Sequence, residues 1–294
     1  MPRPVPHARP ADLTGRTVLV TGASPGSLGF ATARSLLDWG AEVVVTTRTR
    51  TQEAVSALGP GATGHPLELA DAASVEALVA WLADRLDRLD VLVNNAGIHL
   101  DLRSRWHEPQ LTADGHELHW RTNYLGTAHL THRLLPLLDA APAPRVVTVV
   151  SKLHARGTNE ALVGGPEPYD SWVAYGTSKL GLVHLTTELS RRHPRVAAAS
   201  LHPGSVFTHI ADRGLEDSRV LSAVRRVLAP LERRALLTPE QGAQTTLHCV
   251  GAEDLVPGGY YARCAPAAAS EQAQDTAVAA RLWDETVAWL EALR

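Results

Sequence analysis

Tyr175 and Lys179, in YGTSK, open a helical pattern that runs to about residue 192. Residues four apart lie about 400° around a helix, so both side chains point nearly the same way. A phenol with a pKa of about 10 is a poor acid or base at neutral pH. A neighbouring ammonium favours the phenolate and lowers that value. The pair suits proton transfer to or from an oxygen. Its weight comes from its place in the chain: it follows Ser151, at the end of one apolar run, and precedes another at 195–204.

A second group lies in VLVTGASPGSLGFATA, residues 18–33. Gly22 and Gly26 are spaced as a phosphate loop requires, but residue 28 is Leu28 and the third glycine arrives at Gly29. The loop follows an apolar run and opens a helix with Ala33, Leu36 and Leu37 on its apolar side and Gly40 as its stop. Glycines there let the backbone approach a pyrophosphate, and the helix start supplies N–H groups. We read it as a dinucleotide loop with one residue inserted, to be absorbed at Ser27, Leu28 or the Gly26 turn. The second strand ends in Thr47-Arg48, with Arg50 close behind. An acid at this point would bond a ribose 2′-hydroxyl and repel a 2′-phosphate. A guanidinium instead makes charge-assisted bonds to phosphate worth about 1.5–3 kcal/mol. Ser24 adds a hydroxyl. These residues favour NADP(H) over NAD(H).

Seven short apolar runs carry these residues: 16–22, 41–48, 64–70, 89–97, 144–151, 195–204 and 258–264. Several lack alternation, as expected of parallel strands covered on both faces. Helix-length stretches such as 73–88 and 112–139 lie between them. The order predicts an α/β, doubly wound (Rossmann) fold: a mostly seven-stranded parallel sheet with helices on both faces. A ligand in such a sheet lies across the carboxyl ends of the strands. Residues 14–294 are expected to form one domain after a flexible, proline-rich leader at 1–13.

Within 294 residues, 45% are hydrophobic and 20% charged, ordinary for a globular protein. A net charge of −3 gives no argument for nucleic acid or an anionic membrane. Two cysteines, Cys249 and Cys264, make a disulfide framework unexpected and fit a reducing cytoplasm. No apolar run has the length of a signal peptide or membrane span, so no membrane anchor is expected.

Together, TGASPGSLG, NNAG (94–97), Asn123 in NYLG, Ser151, Tyr175 with Lys179, and HPG (202–204) resemble the short-chain dehydrogenase/reductase family, over about residues 14–264. Residues 111–138, the long Ser151-to-Tyr175 spacing and residues 238–250 resemble its retinol-dehydrogenase-like branch, which also contains carbonyl reductases. The resemblance implies hydride exchange between NADP(H) and a carbonyl or alcohol, with a catalytic set of Asn123, Ser151, Tyr175 and Lys179. Tyr175 would be the acid or base, and Ser151 would hold the reacting oxygen. Lys179 would bind the nicotinamide ribose and depress the Tyr175 pKa. Asn123 would kink its helix and position a relay water. Pro203, Gly204, Val206 and Thr208 would hold the nicotinamide end, and Asn95, Ala96 and Gly97 would wall the adenosine ribose. Glu68, followed by Leu69, stands where the family more often has an Asp that contacts adenine. Other readings on this scaffold are reductive cyclisation, epimerisation or elimination. A non-catalytic dinucleotide sensor is a further alternative, but it would need no tyrosine–lysine pair.

The segment 209–237 is expected to be the substrate lid. Leu221, Val224, Val227, Leu228 and Leu231 share one helical face there, suggesting a hydrophobic wall. Arg219, Arg225, Arg226, Arg233 and Arg234 read as a solvated face. Residues 152–172 are expected to loop at the site mouth, with His99, Trp106, His154 and Trp172 as candidate pocket residues. His116, His119, His129 and His132 have helical spacing but no carboxylate or cysteine cluster, so they read as packing or surface residues and no metal site is expected. The expected partner is a small, hydrophobic carbonyl or alcohol. No nucleic acid is expected, and the chain is expected to be a monomer or homodimer.

Overall fold

A computed structural model describes residues 5–99, 108–206 and 236–293. The apolar runs form β1 (Thr17–Val20), β2 (Glu42–Thr47), β3 (Ala62–Pro66), β4 (Val91–Asn94), β5 (Arg145–Val149), β6 (Ala197–His202) and β7 (Gly259–Ala262). These seven are parallel, in the order β3-β2-β1-β4-β5-β6-β7. An eighth strand, β8 (Ala265–Ala267), pairs antiparallel with β7 at the edge. The helices are α1 (Leu28–Asp38), α2 (Thr51–Leu58), α3 (Ala72–Ala83), α4 (Gly126–Asp139), α5 (Ser171–Arg192), α6 (Pro239–Gly251) and α7 (Thr276–Ala292).

The strand pleat divides the core. Leu19, Leu92, Val146 and Ala198 point to one face, where Val75 and Leu78 of α3, Leu134 of α4, Leu180 of α5 and Leu282 of α7 cover them. Val18, Val20, Val91, Val93 and Val147 point to the other, against Ala33 and Leu36 of α1, Leu58 of α2 and Leu247 of α6. Burial on both faces explains why these strands read as unbroken apolar runs. β1 lies between β2 and β4, so the sheet's order reverses beside it and its carboxyl end opens onto a crevice.

Some boundaries differ from the sequence expectation. β3 ends at Pro66 and 67–71 form its exit loop. The expected helix at 112–139 begins with a turn bridged between Leu111 and Glu117, and passes through a π-helical turn at Trp120–Leu125 before α4. Residues 5–13 are packed rather than free. The Ala8 amide donates to Gln244 Oε1 at 3.0 Å, the Leu13 amide donates to the Trp39 carbonyl at 2.8 Å, and both residues are buried. Cys249 is buried and both cysteines are free thiols. Among the described residues no helix is long and apolar enough to cross a membrane. Thr208, Trp106 and the lid arginines and apolar residues lie outside the described residues.

Leu19 sits at the centre of β1 with no solvent exposure. Leu19→Ala is expected to lower unfolding free energy by about 2–5 kcal/mol in urea titrations, from lost burial and a residual cavity.

Candidate active site

The carboxyl ends of β1, β2, β4, β5 and β6 open onto a cleft of about 450 Å3. On its β1 side, Gly22 and Gly26 take left-handed φ values of 71° and 77°, which side chains resist. Ser27 then caps α1: its Oγ accepts from the Phe30 amide and donates to the Gly22 carbonyl, both at 3.2 Å. Ser27, one of the positions expected to absorb the extra residue, thus joins the loop to the helix start. A Cβ at Gly29 would lie 2.5 Å from Asn95 Nδ2 and 2.6 Å from the Gly22 oxygen, so Gly29 performs the close packing expected of a third loop glycine. Over Gly26 a Cβ would meet nothing within 4 Å, leaving its backbone open to approach. The cradle fits a pyrophosphate at a helix start. Ser24, Ser27 and Leu28 line it with Gly22.

Asn95 clamps this loop. Its Nδ2 donates to the Thr21 carbonyl at 2.8 Å and the Gly22 carbonyl at 3.2 Å, while its amide and that of Ala96 both donate to Thr21 Oγ1 at 3.0 Å. Asn95, Ala96 and Gly97 line the cleft as expected, but the Asn95 side chain is occupied in holding the loop.

At the β2 end, Thr47 and Arg48 line the cleft and Arg50 does not. Arg50 instead forms a bidentate pair with Glu53 on the α2 surface. Arg48 Nη1 stands 3.9 Å from Glu68 Oε2, and both side chains are more than a third exposed. Exposed pairs of this kind are worth about 0–1 kcal/mol, so the guanidinium is readily diverted to a ligand. The Glu68–Leu69 loop is held from below by a residue the sequence reading missed. Arg121, 1% exposed, donates to the Leu69 carbonyl at 3.0 Å and pairs with Asp114 at 2.5 Å. A buried arginine inside a helical run carries no pattern that would have singled it out.

On the β5 side, Asp170 caps α5 by accepting from the Trp172 amide at 2.8 Å and the Val173 amide at 3.2 Å. Tyr175 and Lys179 then face the cleft one turn apart. Ser151 ends β5's exit, accepts from the Leu153 amide at 3.2 Å and stands near enough to the Tyr175 hydroxyl to lower its pKa. The approach rests on two further glycines. A Cβ at Gly176 would lie 2.6 Å from the Leu153 carbonyl, and one at Gly157 would lie 2.7 Å from Thr177 backbone. Lys179 Nζ donates to the Val149 carbonyl at 3.3 Å. Asn123 sits in the π-helical turn. Its Oδ1 accepts from the Ile98 amide at 2.7 Å, and its Nδ2 donates to the Ile98 carbonyl and to Ser178 Oγ, each at 3.0 Å.

Pro203, Gly204 and Val206 complete the far wall, with the Gly204 amide donating to His202 Nδ1 at 3.1 Å. Of the candidate pocket residues, His99 lines the cleft and Trp172 packs against it. His154 is turned away. Its Nδ1 donates to the Ser151 carbonyl at 2.7 Å and its Nε2 accepts from the Ser270 amide at 3.0 Å, which fixes a neutral tautomer. His119 and His129 hydrogen-bond Glu117 and Glu76, each at 2.8 Å, while His116 and His132 pack on Trp289 and Trp283.

A family model described as short chain dehydrogenase matches residues 16–218. Retinol dehydrogenase 14 of Mus musculus is 34% identical over 307 residues, spanning 94% of this chain and 86% of that protein. A crystal structure of an uncharacterized protein from Mycobacterium paratuberculosis is 30% identical, with a TM-score of 0.71 over 95% of this chain and 94% of that one. A short chain dehydrogenase of Escherichia coli CFT073, solved with NADPH, is 22% identical and shares the fold, with a TM-score of 0.64 over 87% of this chain and 99% of that one.

Two buried ionisable groups dominate the electrostatics. Burial pushes the Tyr175 phenol up to about 12, against a smaller opposing effect of the Ser151 hydrogen bond. The lysine spacing predicts a depressed phenol, whereas burial drives it upward and Lys179 Nζ stands 5.9 Å from the ring centre. Burial also brings Lys179 itself down to about 8. Below that pH the folded protein must hold a desolvated ammonium, whereas between about 8 and 10.5 only the unfolded chain binds the proton and stability rises with pH. Lys179→Met is therefore expected to be more stable than the parent at pH 7 in urea unfolding without cofactor. The advantage should shrink as pH rises through that window.

Proposed function

We propose that this chain, which belongs to the retinol-dehydrogenase-like branch of the short-chain dehydrogenase/reductase family, is an NADP(H)-preferring oxidoreductase that interconverts a carbonyl and an alcohol with Tyr175 as acid or base. One observation carries the reading. The Ser151–Tyr175 contact, with Lys179 one turn along α5, opens into the same cleft as the glycine cradle.

The nicotinamide, when bound, supplies or accepts the hydride; the chain supplies placement and proton transfer. Gly22, Ser24, Gly26, Ser27, Leu28 and Gly29 would take the pyrophosphate end. Thr47 and Arg48 would face the 2′-phosphate, and Glu68, Leu69 and the Asn95–Gly97 wall the adenosine. Pro203, Gly204, Val206 and Thr208 would hold the nicotinamide end, with Lys179 on its ribose. Ser151 holds the substrate oxygen beside Tyr175 Oη, and Tyr175 passes its proton to that oxygen in reduction or takes one in oxidation. The absence of an acid at the end of β2 and the exposed Arg48 support NADP(H), as does the NADPH complex of the Escherichia coli structure. The names of the retinol dehydrogenase relatives support an apolar alcohol or aldehyde as substrate. A reducing cytoplasm remains part of this reading, on the two free cysteines.

Tyr175→Phe is expected to reduce kcat about 10²–10⁴-fold, the usual loss of a general acid, with NADPH affinity by fluorescence titration unchanged. Turnover near the parent rate would refute the assignment. Arg48→Ala should weaken NADPH about tenfold, or about 1.4 kcal/mol, with NADH nearly unaffected. Equal effects on both cofactors would remove Arg48 from the 2′-phosphate site.

A further inference from the structure

His99 lies two residues beyond Gly97 in the β4 exit loop, buried and beside Tyr175. Its ring is stacked on the phenol, with centres 4.1 Å apart and planes 19° from parallel. Trp172, three residues before Tyr175 on α5, meets His99 edge-on at 4.9 Å and 87°. His119 stands edge-on to the phenol at 6.0 Å and 82°. Glu117 holds His119 at 2.8 Å, and also accepts from the Tyr169 hydroxyl at 3.0 Å and the Trp120 amide at 2.8 Å. These are separations at which aromatic rings attract. The rings that touch the phenol are thus themselves anchored, by α5 on one side and by the start of the π-helical turn on the other.

The phenol oxygen lies on the axis about which its ring turns, so ring rotation leaves it in place. Displacement of the whole ring across its face moves it, and His99 occupies that face. Resting on the reading of Tyr175 as the proton-transferring group, we propose that His99 is a positioning residue. Its stacked ring, braced by Trp172, keeps Tyr175 Oη beside Ser151. The sequence put His99 among possible pocket residues; it lines the cleft and its ring lies on the Tyr175 phenol. The role depends on a planar ring at this place and not on a proton carried by imidazole. Misplacing a reacting atom by about 1 Å can slow a reaction about 10²-fold, so loss of the stack has a kinetic signature.

The test uses His99→Leu, His99→Phe and Tyr175→Phe in the full chain. Each is assayed with NADPH against a panel of apolar aldehydes and ketones that includes retinal, taking the fastest substrate for full kinetics. Leucine fills space without a ring, and His99→Leu should lower kcat about tenfold or more while NADPH affinity and KM change less than about threefold. His99→Phe should restore kcat to within about threefold of the parent, with an unchanged pH profile. Parent-like kcat in His99→Leu overturns the proposal. So does a His99→Phe enzyme as slow as His99→Leu, or one with a displaced pH profile, because either makes the imidazole nitrogens the operative feature. Full activity in Tyr175→Phe, or no turnover of any panel member by the parent, overturns the underlying reading and the proposal with it. That outcome is distinct from failure of His99 alone.

Discussion

Asn123 has no solvent exposure, so each polar atom of its amide must find a partner inside the protein or carry a penalty of about 1–3 kcal/mol. Its two bonds to Ile98 tie the π-helical turn to the β4 exit, and its third reaches Ser178 on α5. Ser178 Oγ in turn donates to the Tyr175 carbonyl at 2.7 Å. One side chain thereby joins three segments that lie far apart in the sequence. Gly97 sits inside this knot, where a Cβ would lie 3.0 Å from Lys179 Nζ and 3.1 Å from Asn123 Oδ1. The relative placement of the cleft wall and the tyrosine–lysine helix depends on these few buried bonds, which a low dielectric makes strong when complete.

The burial that fixes this geometry also sets its charge. Tyr175 and Lys179 are both driven toward their neutral forms, the phenol upward and the ammonium downward. A protonated phenol is the form that delivers a proton to a carbonyl oxygen. The phenolate needed to accept one from an alcohol is disfavoured by the same desolvation. The Ser151 hydrogen bond works against this bias without cancelling it. Packing and acid–base chemistry at this site are therefore not independent: any change that admits water beside α5 alters both.

Much of this was legible in the sequence. The central strands announced themselves because burial on two faces demands unbroken apolar residues, whereas β3, with no buried residue, was placed by the alternation of elements, and the motif residues fell at the carboxyl ends. β8 was missed because an Ala-Pro-Ala edge, exposed throughout, has neither the alternation nor the β-branched residues that mark a strand. The prolines of the leader suggest flexibility, yet Ala8 and Leu13 are buried, the one bonded to Gln244 on a helix more than 200 residues away and the other to Trp39. Arg50, close behind the strand end, pairs with the local Glu53, an i,i+3 pairing the strand-end argument did not weigh. The ring stack on Tyr175 and the clamp by Arg121 join residues 76 and 52 positions apart, respectively, and only the fold creates such neighbours.

The inserted loop residue shows how a sequence irregularity can leave a site intact. Had the extra residue entered α1, every later side chain would have rotated by about 100°, carrying Ala33 and Leu36 away from the sheet. Placed before the helix, it leaves that register untouched. Ser27 makes the position favourable, since its hydroxyl satisfies one of the helix's unpaired amides, a cap worth about 1 kcal/mol, while bonding back to Gly22. Gly29 then reaches Asn95 and the Gly22 carbonyl from the first turn of the helix. The function of the third glycine is thus set by its distance from β1 across space, and its count along the chain can change as long as that distance is kept.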